Sequence, residues 1–143
     1  MRLKTRSTVL LVLGLGAVFT TGCSSGSNQP PFPELHAVKG VVQRGGKPVT
    51  GGAVRFTAEP TVSEFMITSE VATDGTFTLT TVRTTDKSGE RKTGVAAGSY
   101  KVTYIPPAGD QTAGGSFEPI DLPKPVSITG PMTDLKLELP TKK

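Results

Sequence analysis

The 143-residue chain contains one cysteine, one histidine and no tryptophan. A lone cysteine forms no internal disulfide, and one cysteine with one histidine supplies too few ligands for a structural zinc site. Helical periodicity is almost absent, and the longest apolar run, Val9 to Phe19, has roughly half of the about 20 residues that a membrane-spanning helix needs. The sequence therefore disfavours disulfide-stapled or zinc-stabilised scaffolds, coiled coils and a permanent transmembrane helix.

The N-terminal segment has the plan of a secretory signal peptide. Arg2, Lys4 and Arg6 precede the apolar run, and small residues follow it up to Cys23. The stretch TTGC, which ends at Cys23, resembles the lipobox of bacterial lipoprotein precursors, with Thr20 in the place of the usual leucine. The resemblance implies that residues 1–22 are a cleaved lipoprotein signal and that Cys23 carries a lipid.

Two other interpretations of Cys23 stay open: an ordinary small residue in a linker, or a buried free thiol. Residues 23–35 contain serine, glycine and proline and few apolar side chains, which predicts a flexible tether after the attachment site. Several acyl chains hold a protein on a bilayer, whereas one chain binds only reversibly. We therefore expect an exported protein that is lipid-anchored to the cell membrane or the outer membrane and faces the periplasm or the exterior.

Removal of the signal changes the charge of the chain. The full sequence has 16 basic and 12 acidic residues, and loss of three basic residues with the signal leaves 13 against 12. A nearly neutral chain has no general attraction for nucleic acid or anionic lipid. We expect no nucleic-acid partner; the expected contact with a membrane is through lipid at Cys23.

Residues 36–143 show apolar and polar residues in alternation, which is typical of strands with one buried face. The pattern predicts seven short strands and hence an all-β domain, a seven-stranded antiparallel Greek-key sandwich. The residues predicted to face inward are Val38, Val42, Val54, Phe56, Ala58, Phe65, Ile67, Val71, Phe77, Leu79, Tyr100, Val102, Tyr104, Val126, Ile128, Leu135, Leu137 and Leu139.

Turn signals separate these strands. The pair Gly45 and Gly46 tolerates positive φ, and Asp74 followed by Gly75 is a common tight-turn signal. Between Pro106 and Pro125 several prolines, which donate no backbone hydrogen bond, predict a segment at an edge or an open end of the sandwich.

The segment VKGVVQRGGKPVTGGAVRF resembles the first hairpin of carboxypeptidase regulatory-like domains, which are prealbumin-like or transthyretin-like sandwiches. The stretches TDGTFTL and AAGSYKVTY resemble two further strands of that family, in the same order. The layout of signal, tether and one domain is similar to small secreted lipoproteins of planctomycete-type bacteria. The resemblance implies a fold and a location; most members of that group have no assigned activity. The matching residues of the first hairpin are Val38, Gly40, Val42, Gly46, Pro48, Gly52, Ala53, Val54 and Phe56.

Three chemical alternatives have weak support. His36 before a glycine and proline turn is similar to the start of 5-hydroxyisourate hydrolases, but the second histidine and the closing motif of those enzymes are missing. Lys39, Asp134 and Glu70 are nominal partners for an intramolecular isopeptide bond, although Lys39 is expected to point away from the core. Asp74 lacks the spaced oxygen ligands of a calcium loop and is better explained as a turn residue.

The run from Arg83 to Lys92 carries mixed charges, which favours a solvated hairpin connection. Within it Arg83, Lys87, Arg91 and Lys92 are candidate contacts for an acidic glycan or a protein. We expect a non-enzymatic module of the cell envelope, with a structural or interaction role, that needs no cofactor. The alternative is a glycan-binding or small-ligand-binding module that uses the loops at 81–99 and 106–125; an envelope protein or a glycan is then its partner.

Overall fold

A computed structural model describes residues 28–62, 64–108 and 118–141 of the chain. These residues form strands joined by turns and loops. The strands are β1 (Val38–Arg44), β2 (Lys47–Pro48), β3 (Ala53–Ala58), β4 (Phe65–Glu70), β5 (Thr76–Thr78), β6 (Thr80–Arg83), β7 (Arg91–Thr93), β8 (Gly98–Ile105), β9 (Ile120–Asp121), β10 (Val126–Ile128) and β11 (Met132–Leu139).

The smaller sheet has β1 at its centre. Strand β11 lies on one side of β1, and β2 and β5 both lie on its other side. The pairing of β1 with β11 is parallel, from Val38 opposite Met132 to Arg44 opposite Leu139. The first and last strands of the domain therefore start at the same end of the molecule.

The larger sheet has the order β10, β8, β3, β4, β6 and β7, and β9 pairs with β8 beside β10. Its described pairs are all antiparallel. The prediction of an all-β sandwich is confirmed by the two sheets and the core between them.

The chain changes from one sheet to the other at Leu79. Strand β5, before it, pairs with β1, whereas β6, after it, pairs with β4. The Leu79 amide donates to Val38 O at 3.0 Å, its carbonyl accepts from the Gly94 amide at 2.8 Å, and its side chain is fully buried. The stretch predicted as one strand, GTFTLTTV, is thus two strands joined at a buried corner, as in other sandwiches where strands switch sheets.

The core lies between the inner faces of the two sheets, and most residues predicted to face inward are buried there. The exceptions are Ala58, Phe65, Val126 and Leu135, which are partly buried. Val95, fully buried, lies in the predicted loop 81–99 and was not in the predicted core. The sequence around Val95 shows no alternation of apolar and polar residues, so the burial of Val95 depends on contacts with residues that are distant in the sequence.

The four strands beyond the predicted seven are short. Three of them are β2, β7 and β9, which have two or three residues each. The fourth arises because one predicted strand is divided into β5 and β6. Two- and three-residue pairings carry too few side chains for alternation to be visible in the sequence.

The predicted turns occur where expected. Gly45 and Gly46 have φ of 59° and 75° and connect β1 to β2. Gly75 has a φ of 82°, and the Oδ1 of Asp74 accepts hydrogen bonds from the Thr76 amide at 3.0 Å and hydroxyl at 2.6 Å. These bonds lower the pKa of the Asp74 carboxyl, the hydroxyl bond contributing most. Asp74 is therefore occupied in closing its own turn.

Candidate functional site: an apolar cleft beside the N-terminal segment

An open cleft of about 660 Å³ lies on the inner face of the larger sheet. It is bordered by Phe56, Ala58, Phe65 and Ile67 of β3 and β4 and by Tyr100 of β8. Ala58 and Phe65 are two of the inward-facing residues that are only partly buried, because here the cleft takes the place of core packing. A volume of this size is within the range of small-molecule sites, about 300–1,000 Å³.

The other borders of the cleft come from loops. Pro31, Pro33 and Leu35, before β1, form one wall, and residues 96–99, where the chain enters β8, contribute a second. Pro60 and Val62, from the connection between β3 and β4, lie at the rim. Arg55 and Glu59 are the only charged residues among the described residues that line the cleft, so its chemistry is chiefly apolar.

Two hydroxyl groups of cleft residues bond to backbone carbonyls. Thr81 Oγ1, which is buried, donates to Gly94 O at 2.7 Å. The Tyr100 hydroxyl donates to Ala96 O at 2.8 Å, and burial raises the pKa of Tyr100. These bonds hold Gly94 and Ala96 against the sheet, and they occupy the hydroxyl groups of Thr81 and Tyr100.

Residues 28–36, which we call the N-terminal strap, lie along the edge of the domain next to the cleft. The ring of Phe32 contacts that of Phe65, with centroids 5.4 Å apart. Arg83 Cζ and Lys92 Nζ each lie 4.6 Å from the centre of the Phe32 ring. One strap residue therefore combines an aromatic contact with two cation–π contacts.

Hydrogen bonds attach the strap at both of its ends. The Thr85 hydroxyl donates to Gln29 Oε1 at 2.8 Å. His36 and Val95 exchange two backbone hydrogen bonds of 2.8 and 3.0 Å. The part of the predicted tether from Gln29 onward thus lies against the domain, and Phe32, an aromatic residue among prolines in the stretch PPFP, is the sequence feature that indicates it.

The structure brings together two of the four predicted contact residues. Arg83 Nη1 lies 3.0 Å from Glu90 Oε2, and Lys92 Nζ lies 3.8 Å from Glu90 Oε1, with both cations next to Phe32. Arg83 Nε is buried and has no hydrogen-bond partner within the described part of the chain. Arg83 and Lys92 thus have a structural task in holding the strap.

The other two predicted contact residues, Lys87 and Arg91, are exposed. Arg91 precedes Lys92 on β7, and successive strand residues point to opposite faces, so Arg91 lies on the outer face of the larger sheet. Lys87 is in the turn between β6 and β7, where the Ser88 amide donates to Asp86 Oδ1 at 2.8 Å. The four side chains do not form one basic patch.

The two predicted binding loops lie apart in the described residues. Residues 96–99 of the first loop border the cleft, and its Thr81, Val82 and Val95 are buried. In the second loop, Pro107 lies near Gly51 and β9 pairs with the C-terminal half of β8, away from the cleft. Among the residues that the structure describes, those of the first loop contribute to the cleft and those of the second do not.

The residues of the chemical alternatives lie at the surface or at the entrance to β1. Lys39, Glu70 and Asp134 are all exposed, whereas an isopeptide bond needs a buried acid beside its reacting pair. His36 is half-buried and pairs with Val95 through its backbone. Cys23 and the predicted signal, residues 1–22, lie outside the described residues.

Within residues 28–62, 64–108 and 118–141, no cluster of three or more histidine, cysteine, aspartate or glutamate side chains is arranged to hold a metal ion. The same residues include no helix with the length and apolar character needed to span a membrane.

Comparison of the chain with protein-family models, with curated proteins and with solved structures gave no match.

Proposed function

We propose that this protein is an exported, lipid-anchored and non-enzymatic interaction module of a bacterial cell envelope. The observation that carries the interaction role is the apolar cleft, which offers mainly apolar side-chain surface for contact and in which the Thr81 and Tyr100 hydroxyl groups are bonded to the backbone. The location rests on the sequence, with its signal pattern at residues 1–22 and the TTGC stretch before the tether.

We also propose kinship with the carboxypeptidase regulatory-like domains. The apolar residues of the matching hairpin that are typical of the family, Val38, Val42, Val54 and Phe56, are all buried in this domain. A β-sandwich that is carried on a lipid anchor can act by presenting a surface, and it needs no reacting groups for that role.

The anchor is tested with the full chain produced in a lipoprotein-processing bacterium. We expect the intact mass to show a product that begins at Cys23 and carries a diacylglyceryl group, and the protein to partition into detergent. Cys23→Ser should abolish both results, whereas the neighbouring substitution Ser24→Ala should change neither. A wild-type product with residues 1–22 retained, or with an unmodified thiol, contradicts the proposal.

A small-ligand role is the second candidate, because the cleft has the volume of a ligand site and residues 96–99 of the first predicted loop border it. A glycan ligand has less support, since the aromatic residues of the cleft lie within it and are largely buried. Saturable binding on a glycan array that is lost in Ala97→Glu would favour a glycan; no saturable binding would remove the glycan candidate.

A further inference from the structure

The cleft lies close to the point where the anchor joins the domain. The strap is attached from Gln29 onward, and residues 24–28 alone separate this point from Cys23. Even when fully extended, the chain from Cys23 to Gln29 spans about 20 Å. The end of the domain that carries the strap is therefore held near any bilayer in which lipid at Cys23 is inserted.

The two ends of the sandwich can be told apart by their connections. The strap end carries Gln29, the connection between β3 and β4, and the turn between β6 and β7. The far end carries the turn at Gly45 and Gly46, which lies near Thr141, and Gly51, which lies near Pro107. The strap residues Pro31 and Pro33, together with Pro60, Val62 and Thr84, place the cleft at the strap end.

The rim of the cleft is apolar as well as its interior. Among the described residues, the large hydrophobic side chains that are exposed are Val62, at 48%, and Met66, at 37%; Val62 borders the cleft, whereas the Met66 side chain, between Phe65 and Ile67 on β4, points to the outer face of the sheet. Pro31, Pro33 and Pro60, which are also exposed, border the cleft beside Val62. Exposed apolar surface that is concentrated at one place marks an interaction site better than scattered single residues do.

We propose that the strap end docks on the bilayer that holds the anchor, with an acyl chain of a membrane phospholipid in the cleft. This inference rests on the proposed anchor at Cys23. The short tether supplies a high local concentration of lipid, so a contact too weak to bind a free lipid is populated. The domain is then oriented, with its far end directed away from the membrane.

Apolar contact, and not charge, drives this docking. The mature chain has nearly equal numbers of basic and acidic residues, and the cations nearest the strap, Arg83 and Lys92, are paired with Glu90. A methylene group that leaves the bilayer for water costs about 0.8 kcal/mol, and it avoids this cost when it enters an apolar cleft. The contact should therefore be equal on zwitterionic and anionic membranes.

The test uses the full-length processed protein in phosphatidylcholine vesicles. A small fraction of the phosphatidylcholine carries a diazirine in the middle of one acyl chain, and the sites of photocrosslinking are mapped by mass spectrometry. We expect adducts at cleft residues such as Val62, Phe65 and Ala97, in equal yield when part of the lipid is replaced by phosphatidylglycerol. Adducts spread evenly over the strap end and the far end, or none on the folded domain, would overturn the docking.

Two exposed positions provide matched variants. Val62→Glu places a carboxylate on the rim, where it loses hydration on contact with acyl chains, and the adduct yield in the cleft should fall about tenfold. Ala108→Glu adds the same charge at the far end and should leave the yield unchanged. An equal yield in Val62→Glu and wild type would contradict the proposal.

The intact mass of the same sample separates this inference from the proposed function. If acyl chains are present at Cys23 and the cleft stays unlabelled, the docking is wrong and the anchor stands. If Cys23 is unmodified, the anchor is wrong; the same photolipid vesicles are then added to the free protein. Adducts in the cleft would in that case support docking alone, and their absence would overturn it as well.

Discussion

At the scale of single residues, the close approach of other atoms leaves no room for a side chain at two glycines. A Cβ on Gly40 would lie 2.7 Å from Cζ of Phe77 and would also overlap the carbonyl oxygen of Leu135. A Cβ on Gly52, whose φ is 94°, would lie 2.5 Å from Ile105 O. Packing therefore gives a physical reason for glycine at both of these positions.

We predict that Gly40→Ala lowers the free energy of unfolding by about 2–3 kcal/mol, since β11 or Phe77 must move to admit the methyl group. Urea unfolding followed by circular dichroism measures the change. Gly130→Ala is the control, because a Cβ there meets no atom within 4 Å, and its effect should stay within about 0.5 kcal/mol. Equal stabilities of the two variants would show that β1 and β11 are not packed as described.

At the scale of elements, the strap shows how a segment with little secondary structure is held in place. Its composition resembles a linker, yet Phe32 contacts one ring and two cations, and both ends of the strap are hydrogen-bonded to the domain. Extended proline-containing segments lose little conformational entropy on binding because they are already stiff. A few side-chain contacts are therefore sufficient to attach it.

We predict that Phe32→Ala lowers the free energy of unfolding by about 1–2 kcal/mol, from lost apolar burial and lost ring contacts. Amide hydrogen exchange should also speed up at His36 and Val95, whose paired amides close the strap, while exchange in β3 and β8 changes little. Phe32→Leu keeps most of the apolar area and should give a smaller loss. A strap that is equally protected in Phe32→Ala and wild type would contradict this account of its attachment.

At the scale of the whole molecule, several charged side chains form local ion pairs and close turns. Asp121 is an example: it lies 2.8 Å from Lys101 Nζ and accepts a 2.7 Å hydrogen bond from the Thr103 hydroxyl. Lys101 contributes most to lowering the pKa of Asp121, and Asp121 in turn raises the pKa of Lys101. Asp74 and Asp86 also have lowered pKa values, through hydrogen bonds from Thr76 and Ser88.

We predict that stability falls in acid through these carboxyl groups. Because the pKa of Asp121 is lower in the folded than in the unfolded state, its contribution is complete above the unfolded value of 3.8 and is lost as the pH falls through the folded value. Asp121→Asn should therefore be less stable than wild type at neutral pH, and the difference should shrink below about pH 4. Thermal melts across this range measure it.

Asp134→Asn is the matched control, since Asp134 is exposed and its side chain forms none of the ion pairs found among the described residues. It should follow the wild-type melting profile. A stability difference for Asp121→Asn that persists unchanged in acid would show that the carboxylate charge is not the cause.

The alternation of apolar residues determined the fold class, because a strand with one buried face must place every second side chain in the core. It located the long strands β1, β3, β8 and β11, and glycine and aspartate chemistry located their turns. Alternation and turn chemistry are local properties, because they depend only on residues that are close together in the sequence. The pattern that predicts export and lipid attachment is likewise local, and it lies in residues 1–23.

Only the tertiary structure decided which inward-facing side chains stay uncovered by the opposing sheet. The periodicity of Ala58 and Phe65 is that of core residues, and they border a cleft because the opposing sheet and the strap leave space above them. Likewise, Val95 is buried and Arg83 and Lys92 meet at Phe32 through contacts between segments far apart in the chain. Alternation of apolar and polar residues predicts which side chains face inward. The relative extent of the two sheets determines whether the opposing sheet covers those side chains.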